Sequence, residues 1–323
     1  MPNILHTARY TGLPLEILQK ACPEGFSVKT LDEATHEQLI KEVTNAEYFL
    51  VSGRLPIDKA VLDAAPRLKM IQRTGVGTEM LDVDEIKKHG IPVYVNAGVN
   101  AQSVAEHTLT LMLACLKRLP QINRQTHEGV WKKQQTGVTT RELHGKTIAL
   151  VGMGNIGRLV AQMLQAFGAR VIYTDVFRQS EAVETNFGLT YYKHFETMLP
   201  EADILSFHCP LTKENTEMLN INTLAMMKTG AVVINTARGK LIQPDDLYKA
   251  LQSGHLASAA LDTHYEEPLK EGYRLAKLDN VILTPHIGGL SREAFERMMH
   301  EAMENIVLFE DGKLDDIASK RIL

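Results

Sequence analysis

Three glycines near the middle of the chain constrain its fold more than any other feature. They form the pattern GMGNIG over residues 152–157, with Gly152, Gly154 and Gly157 as its glycines. An apolar, β-rich run at residues 147–151 precedes them, and apolar residues at helical spacing follow over residues 158–167. In a strand–turn–helix unit the first glycine permits the turn, the second lets the backbone approach a pyrophosphate, and the third lets the helix pack on the strand. The pattern therefore favours a dinucleotide-binding unit over a glycine turn that binds nothing.

An acidic residue follows the next predicted strand, at the position where a dinucleotide fold binds the ribose. This strand covers residues 169–174 and ends at Asp175, 18 residues beyond Gly157, close to the usual separation of about 20. A carboxylate there accepts hydrogen bonds from the ribose hydroxyls and repels a 2′-phosphate, so NAD is favoured over NADP. Arg178 lies slightly further on and would suit a phosphate, which leaves NADP as the alternative.

The length of the chain and the central position of the glycine pattern indicate an inserted domain. The 323 residues are enough for two domains of about 150 residues each. We predict two doubly wound α/β domains with parallel sheets. Residues 1–101 form the first part of one domain, residues 102–290 form a Rossmann nucleotide-binding domain, and residues 291–323 form a helix that returns to the first domain.

Periodicity and turn signals predict the elements within these domains. Strands are expected near residues 3–8, 48–52, 70–73 and 93–96 in the first domain, and six strands are expected in the second. Ser103 and Glu106 form a capping-box pattern that predicts a long helix over residues 103–119. The polar stretch at residues 121–143 contains the single tryptophan, Trp131. This stretch is either an exposed arm for a subunit contact or a surface helix with the tryptophan packed on its own subunit.

Charge and composition exclude several classes of function. The formal net charge is −4 without a basic cluster, which argues against nucleic acid as a partner. The first residues lack the pattern of a signal peptide, and no apolar stretch is long enough to span a membrane. We therefore expect a soluble, cytoplasmic protein. The three cysteines are far apart and form no C-x-x-C pair, so reduced thiols and no metal site are expected.

Three charged residues lie where parallel strands are predicted to end, which is where doubly wound sheets bind their ligands. Arg238, Glu267 and His286 follow three successive predicted strands. An arginine can bind a carboxylate and a neighbouring oxygen with two parallel hydrogen bonds. A histidine can give and take a proton near neutral pH, and a carboxylate beside it stabilises its charged form. Together they make hydride transfer to a 2-keto acid plausible, although each taken singly is equally well a turn or surface residue.

The segments around these residues resemble the D-2-hydroxyacid dehydrogenase family. The resemblance rests on NTARG at residues 235–239, LDTHYEEP at 261–268 and TPHIGG at 284–289. It extends to HCPLT at residues 208–212, SVAE at 103–106 and GVG at 75–77, and so covers nearly the whole chain. The resemblance implies that Arg238 binds the substrate, that His286 is the acid/base, and that Glu267 is its carboxylate partner. If the alignment of this segment with the family were shifted by one residue, Glu266 would take the place of Glu267 as the partner of His286.

The resemblance also implies which residues surround NAD and the substrate. The expected cofactor-binding residues are Val104, Gly152, Gly154, Asn155, Ile156, Gly157, Asp175, His208, Cys209, Pro210, Thr236, Ala237, Arg238, Asp262, His286, Gly288 and Gly289. Val104 is expected to press on the nicotinamide. Backbone amides of Val76 and Gly77 are expected to hold the substrate carboxylate. His208 and Cys209 are not expected to bind a metal, because two further ligands would be needed.

The resemblance implies an arrangement of the whole molecule as well. Members of this family have a flavodoxin-like substrate-binding domain built from both termini, with the Rossmann domain inserted into it. They are usually dimers joined through the nucleotide domains, so a homodimer is expected. The chain is phosphoglycerate dehydrogenase-like but ends at Leu323 without the additional regulatory domain that many of those enzymes carry.

The substrate itself is expected to be selected by loops of the first domain. The candidates are residues 6–10 and 52–54, where Arg54 is the cation of its loop and Arg9 is a second basic residue. These cations predict a polar or anionic substrate tail in preference to pyruvate. D-3-phosphoglycerate dehydrogenase is an alternative function, and formate and phosphite dehydrogenases share the same arginine and histidine.

The alternative from another class is an NAD(H)-sensing binding protein that resembles transcriptional corepressors with this fold. Such proteins carry additional interaction tails, whereas this chain begins just before its first predicted strand and ends soon after its last predicted helix. We therefore expect an enzyme.

Overall fold

Two parallel sheets, each in its own structural unit, organise the chain. The computed structural model describes residues 1–53 and 55–323. The first unit comprises Met1–Asn100 together with Ser291–Leu323, and the second comprises Ala101–Leu290. Most strand residues are buried, because a parallel sheet is covered by helices on both faces.

The first part of the first unit alternates strands and helices. In chain order these are β1 (Asn3–His6), α1 (Leu13–Ala21), β2 (Ser27–Thr30), α2 (His36–Glu42), β3 (Tyr48–Val51), α3 (Lys59–Asp63), β4 (Met70–Arg73), α4 (Val83–Lys88) and β5 (Val93–Tyr94). The described residues form a parallel sheet of order β2-β1-β3-β4-β5. This is the flavodoxin-like order, and its switch point lies between β1 and β3. The four predicted strands are confirmed, β4 with its predicted bounds and the other three with shorter C-terminal ends. Strand β2 was not predicted, because this edge strand has no fully buried residue.

The second unit contains the glycine pattern. Its elements are α5 (Ala101–Lys117), α6 (Leu119–His127), α7 (Lys133–Gly137), β6 (Thr147–Val151), α8 (Asn155–Ala166), β7 (Arg170–Thr174), α9 (Glu181–Phe187), β8 (Leu189–Tyr191), α10 (Phe195–Met198), β9 (Ile204–Phe207), α11 (Ile221–Ala225), β10 (Ala231–Asn235), α12 (Pro244–Gln252), β11 (Leu256–Leu261) and β12 (Val281–Leu283). The parallel sheet has the order β12-β11-β10-β9-β6-β7-β8. This is the Rossmann order with one additional strand, and its switch point lies between β6 and β9.

The number of strands in the second unit differs from the prediction. Seven strands form the sheet of Ala101–Leu290, all of which the structure describes, instead of the six predicted. The strand that was missed is β8, a three-residue edge strand in which only Leu189 is buried. So short and partly exposed a segment carries no clear apolar signal.

The predicted capping box is wrong. Helix α5 begins at Ala101, so Ser103 lies inside its first turn. The Ser103 hydroxyl donates to the carbonyl oxygen of Gly288 at 2.7 Å instead of capping the helix. The spacing of Ser103 and Glu106 suggested the start of a helix, but the hydrogen-bond partner of Ser103 is Gly288, far along the chain.

The polar stretch after α5 is helical and carries an exposed tryptophan. Pro120 lies in the first turn of α6, and α7 follows Lys132. Trp131 is 81 % exposed, so the alternative in which it packs on its own subunit is wrong.

The chain returns to the first unit through α13 (Arg292–Glu310) and α14 (Leu314–Ile317). The Ser291 side chain caps α13 by accepting a hydrogen bond from the Ala294 amide at 3.1 Å. One face of α13 is buried in the core of the first unit, against α1 and β4. Residues Ser291–Leu323 thus belong to the first unit.

Short 3₁₀ turns complete the description at Val43–Asn45, Leu199–Glu201, Gly239–Leu241, Arg274–Lys277 and Ala318–Lys320. None of the helices within residues 1–53 and 55–323 combines the length and the apolar character that crossing a membrane requires.

Candidate active site

The glycine turn connects β6 to α8 at the switch point of the second unit. Gly152 has a φ of 101°, a conformation that favours glycine. A Cβ on Gly152 would lie 2.7 Å from the carbonyl carbon of His208, and a Cβ on Gly157 would lie 2.2 Å from the carbonyl oxygen of Gly152. Gly154 caps α8, and no described atom outside its own helix and chain neighbours lies within 4 Å of its ideal Cβ position. The turn is therefore tight on two sides and open above Gly154, at the N-terminus of α8.

Asp175 lies directly beside this turn. One of its carboxylate oxygens accepts a hydrogen bond from the Met153 amide at 2.6 Å, and the other accepts one from the Phe177 amide at 3.0 Å. These bonds hold the carboxylate at the end of β7, next to the glycine turn. A carboxylate at this position can bind ribose hydroxyls and repels a 2′-phosphate.

The nearby arginine is occupied by another side chain. Arg178 donates to both oxygens of Glu184, from Nε at 2.9 Å and from Nη2 at 2.8 Å. Hydrogen bonds from Arg178 and Tyr173 lower the pKa of Glu184 to about 2. Arg178 is thus committed to an ion pair, which weakens the NADP alternative.

His208 follows β9 and faces the same switch point. Its Nε2 lies 2.9 Å from the Ser206 hydroxyl, whereas its buried Nδ1 has no partner among the described residues. Burial lowers the pKa of His208 to about 3, so the ring is neutral near pH 7. A buried polar atom without a partner is rare. Together with the open space above Gly154 and the carboxylate of Asp175, it fits a bound dinucleotide.

Four further predicted cofactor-binding residues lie at the switch point between β6 and β9. Asn155 and Ile156 begin α8, and Cys209 and Pro210 follow His208. The side chain of Asn215 donates to the Pro210 carbonyl at 2.8 Å and holds that segment. These positions surround the switch point from both strands.

His286 and Glu267 form a hydrogen-bonded pair in the second unit. His286 Nδ1 lies 2.8 Å from Glu267 Oε2, and Glu267 Oε1 accepts a hydrogen bond from the His264 amide at 2.7 Å. An ionised carboxylate only accepts hydrogen bonds, so Nδ1 carries the proton in this pair and Nε2 is the nitrogen that can exchange one. Glu266 instead pairs with Lys270 at 2.6 Å on the exposed surface. The geometry therefore selects Glu267 over Glu266 as the partner of His286.

The turn that carries His286 is held by a buried carboxylate. Asp262 is 1 % exposed and accepts hydrogen bonds from the amides of Ile287 and Gly288, both at 2.9 Å. Burial alone would raise the pKa of Asp262, but hydrogen bonds from His107, Thr284 and the two amides together hold it well below its ordinary value. Gly289 continues the same turn.

Arg238 follows β10 on a turn with its own internal hydrogen bonds. Asn235 donates to the Arg238 carbonyl at 2.8 Å and accepts from the Ala237 amide at 3.0 Å. The Arg238 guanidinium donates to the Ala237 carbonyl at 2.8 Å. A Cβ on Gly239 would lie 2.0 Å from the carbonyl carbon of His264. The backbone after Arg238 therefore touches the segment that holds Glu267, which places the two residues on neighbouring strand ends.

Helix α5 contacts the segment after β10 through a hydrogen bond between Thr108 of the helix and Thr236. Thr108 Oγ1 donates to the Val104 carbonyl at 2.8 Å and lies 2.9 Å from Thr236 Oγ1. Because the single Thr108 hydroxyl hydrogen goes to Val104, Thr236 is the donor in the second bond. The side chain of Val104 is buried at this point.

The predicted substrate loops lie in the first unit. Val76 and Gly77 follow the carboxyl end of β4, and the Val76 side chain is exposed. Residues 6–10 begin at the last residue of β1, and residues 52–53 follow β3, on either side of the switch point of that sheet. Arg54 lies outside the described residues.

A buried polar cluster joins the two loops at this switch point. His6 Nε2 hydrogen-bonds the Ser52 hydroxyl, and the Tyr10 hydroxyl lies 3.1 Å from the same Ser52 oxygen. His6 Nδ1 lies 3.1 Å from the carbonyl oxygen of Ala8, so this nitrogen carries the proton. Burial lowers the pKa of His6 to about 4, and the ring is neutral near pH 7.

The two sheets and the residues at their carboxyl ends define a class of protein, the two-domain NAD-dependent oxidoreductases. The sequence profile of the D-isomer specific 2-hydroxyacid dehydrogenase NAD-binding domain matches residues 109–288. Glyoxylate reductase from Thermofilum pendens is 37 % identical over 312 residues, covering 96 % of this chain and 92 % of that protein. Hydroxypyruvate reductase from Thermotoga maritima is 35 % identical over 279 residues, covering 86 % of this chain and 89 % of that one. Among solved structures, D-lactate dehydrogenase from Aquifex aeolicus with NAD and lactic acid has a TM-score of 0.84 at 30 % identity, covering 99 % of this chain and 98 % of that chain.

This chain belongs to the D-isomer-specific 2-hydroxyacid dehydrogenase family. It is an NAD-dependent oxidoreductase that acts on the CH–OH group of a 2-hydroxy acid. The predictions of the family, the fold and the NAD cofactor are confirmed.

Sequence reasoning missed the residues that support the pair of His286 and Glu267. His264 holds Glu267, and Thr284 donates to Asp262 Oδ1 at 2.6 Å. His107 lies 3.1 Å from the Thr284 hydroxyl. His264 and Thr284 lie within the motif segments and could have been noticed there. His107 is on a distant helix, and no spacing along the chain indicates its contact.

Proposed function

We propose that this enzyme interconverts a small 2-keto acid and its D-2-hydroxy acid, and that Arg238, Glu267 and His286 carry the reaction. The observation that supports this most directly is the bond of 2.8 Å between His286 Nδ1 and Glu267 Oε2. It fixes which imidazole nitrogen is available for proton exchange. The bound nicotinamide supplies the hydride in reduction and takes it up in oxidation.

In this mechanism His286 gives the proton from Nε2 to the carbonyl oxygen during reduction and takes it back during oxidation. Glu267 keeps the ring in one orientation and stabilises its charged form. The amide of His264 in turn orients the Glu267 carboxylate, at 2.7 Å. The proton transfer thus depends on one geometry that several bonds maintain.

Arg238 binds the carboxylate of the substrate and the oxygen beside it. A guanidinium offers two parallel N–H groups that match this pair of acceptors. Its turn is held by Asn235 and by contact of Gly239 with the His264 segment.

NAD is held by the residues around the switch point of the second unit. The N-terminus of α8 binds the pyrophosphate, Asp175 binds the adenosine ribose, and the segment 208–210 borders the adenosine. Val104, Thr236, Ala237, Asp262 and the turn 286–289 border the nicotinamide end.

Glyoxylate and hydroxypyruvate are the proposed substrates. Two of the relatives are named for the reduction of these acids. The loops 6–10 and 52–54 are expected to favour the polar hydroxymethyl group of hydroxypyruvate over the methyl group of pyruvate. A turnover screen with NADH tests this, with glyoxylate, hydroxypyruvate, pyruvate and 3-phosphohydroxypyruvate as substrates. A preference for the phosphorylated acid would instead indicate a D-3-phosphoglycerate dehydrogenase. NADH binding without turnover of any acid would favour the NAD(H)-sensing binding protein.

We further propose that the enzyme is a cytoplasmic homodimer joined through its second unit, and that its first unit is the substrate-binding domain. Leu119, Trp131 and Val138 expose apolar side chains along the arm after α5. Exposed apolar surface of this kind is typical of a subunit contact. Light scattering of the purified protein checks the mass, and Trp131→Ala is expected to weaken the dimer.

A further inference from the structure

One face of α5 contacts the turn that carries His286. Ser103 and His107 are four residues apart on this helix and therefore lie on the same face. The Ser103 hydroxyl donates to the Gly288 carbonyl at 2.7 Å. His107 Nε2 lies 3.1 Å from the Thr284 hydroxyl and 3.4 Å from Asp262 Oδ1. Helix α5 thus holds the turn on both sides of His286.

The hydrogen positions in this cluster follow from its donors and acceptors. The Thr284 hydroxyl donates its single hydrogen to Asp262 Oδ1 at 2.6 Å, so it can only accept from His107. Nε2 of His107 therefore carries a hydrogen, which points at the Thr284 oxygen and lies close to the Asp262 carboxylate. The imidazole donates to Thr284 and lies within ion-pairing distance of Asp262, and these two residues anchor the turn.

The His107 ring also contacts the turn directly. A Cβ on Gly288 would lie 3.2 Å from His107 Cδ2 and 2.9 Å from Asp262 Oδ2. The ring and the carboxylate therefore close around the Gly288 backbone. If either the His107 ring or the Asp262 carboxylate moved, the backbone at Gly288 would lose its support.

His286 depends on this support because its backbone is strained. Its φ is 58°, in the left-handed region that residues with a side chain rarely adopt. Such a conformation persists only where surrounding contacts over-determine it. Here the contacts are those of Thr284 on one side and of Ile287 and Gly288 on the other, and all three depend on Asp262.

We propose that His107 is a positioning residue for proton transfer at His286. It holds Thr284 and Asp262, which fix the amides of Ile287 and Gly288 and with them the left-handed backbone of His286. This inference rests on the proposed role of His286 as the acid/base. His107 itself touches neither substrate nor reacting atoms, so its effect is on the geometry of the proton transfer.

The test compares His107→Leu, which removes the donor, with His107→Gln, whose side-chain amide can donate at a similar reach. Thr110→Ala is the matched control, because Thr110 is exposed on the same helix and its hydroxyl donates to the Glu106 carbonyl one turn earlier, at 2.8 Å. For each variant kcat, KM for the keto acid, the solvent deuterium isotope effect on kcat, and NADH affinity by fluorescence are measured.

For His107→Leu we expect kcat to fall by about tenfold, the loss typical of one hydrogen bond to a charged group. The solvent isotope effect should rise, because proton transfer becomes slower relative to other steps. KM and NADH affinity should change by less than about twofold. His107→Gln should recover most of kcat, and Thr110→Ala should behave as the wild type.

An unchanged kcat and isotope effect in folded His107→Leu would overturn the proposal. So would equal losses of NADH binding and thermal stability in both His107 variants, since that pattern indicates a structural role. If His107→Leu folds poorly, the same kinetic measurements are made on Ser103→Ala, which removes the other hydrogen bond between α5 and the turn. It should show the same pattern on a smaller scale, and wild-type kinetics there would contradict the inference. Retained activity of His286→Gln would instead contradict the proposed function itself.

Discussion

Arg178 shows at the level of one residue why NAD and not NADP fits this site. Its guanidinium is engaged by both oxygens of Glu184, at 2.9 and 2.8 Å, while Asp175 occupies the position beside the glycine turn. Arg178 is therefore neutralised by its ion pair with Glu184, and the carboxylate of Asp175 repels a 2′-phosphate.

We expect the wild type to prefer NADH over NADPH and Asp175→Ala to narrow the difference. Addition of Glu184→Gln should narrow it further, because it releases Arg178 to bind a 2′-phosphate with the energy of a charged hydrogen bond, about 1.5–3 kcal/mol or at least tenfold. Binding of both cofactors, measured by fluorescence, checks this. A wild type that prefers NADPH would show that the end of β7 has been misassigned.

Arg238 is a residue at which shape matters as well as charge. Arg238→Lys keeps the charge but loses the two parallel N–H groups that fit a carboxylate and its neighbouring oxygen. We expect kcat/KM for the keto acid to fall about tenfold to a hundredfold, with both KM and kcat affected. Steady-state kinetics measure the change, and near-wild-type values would remove Arg238 from substrate binding.

The pair of His286 and Glu267 predicts a pH signature. Reduction needs a proton on His286, so it falls as pH rises, whereas oxidation needs that nitrogen unprotonated and rises over the same range. Glu267→Gln removes the negative charge that favours the protonated ring, so the fall in reduction should move to lower pH. NADH binding should change little.

The neighbouring acid provides the control for this experiment. Glu266 pairs with Lys270 at the surface, at 2.6 Å, so Glu266→Gln should leave the pH profile of reduction where it is in the wild type. A profile that moves in the Glu266 variant and not in the Glu267 variant would reverse the assignment of the two residues.

At the scale of elements, buried strands were predictable from the sequence and exposed edges were not. Strands β6 and β10 are buried almost throughout, so their continuous apolar runs mark them. Strands β2 and β8 lie at sheet edges with partly exposed residues, and pairing with a neighbour defines them more than their own composition does. The start of α5 was misplaced for a similar reason, since Ser103 bonds to Gly288 across the fold.

In the candidate site, too, residues within recognisable sequence segments could be predicted, whereas contacts between distant segments could not. Arg238, Glu267 and His286 lie at strand ends within recognisable segments, so their positions could be predicted. The contact of His107 with Thr284 joins residues separated by most of the second unit, and only the folded structure brings them together. The resemblance already selected Glu267 over its neighbour Glu266 as the partner of His286, and the structure places Glu267 Oε2 2.8 Å from His286 Nδ1.

The turn after β10 gives a prediction at this scale. A Cβ on Gly239 would lie 2.0 Å from backbone atoms of His264, so Gly239→Ala must displace either Arg238 or the segment that holds Glu267. We expect a loss of about 1–3 kcal/mol in stability and a larger relative loss of kcat. Gly137→Ala is the control, because no described atom outside its own helix and chain neighbours lies within 4 Å of that position. Thermal unfolding and kinetics measure both, and a fully active Gly239→Ala would contradict the close packing.

At the scale of the whole molecule, each unit contains a histidine that the fold keeps neutral. Burial lowers the pKa of His6 to about 4 in the first unit and that of His208 to about 3 in the second. In an unfolded chain both titrate near their reference value of about 6.5. The unfolded state therefore binds more protons than the folded state below that pH, and both units should lose stability on acidification.

This predicts a protein that becomes less stable well before its carboxylates titrate. A depressed histidine pKa contributes stability above the unfolded value, and the contribution is lost as pH falls from about 6.5 toward the folded value. For His6, with a folded pKa of about 4, the loss between about pH 7 and about pH 5 amounts to about 2 kcal/mol. Urea unfolding followed by circular dichroism across this range measures it. His6→Gln is expected to be less stable at neutral pH, because it loses the bonds to Ser52 and Ala8, but its stability should depend less on pH. Equal pH dependence in the wild type and in His6→Gln would show that the fold does not hold His6 neutral.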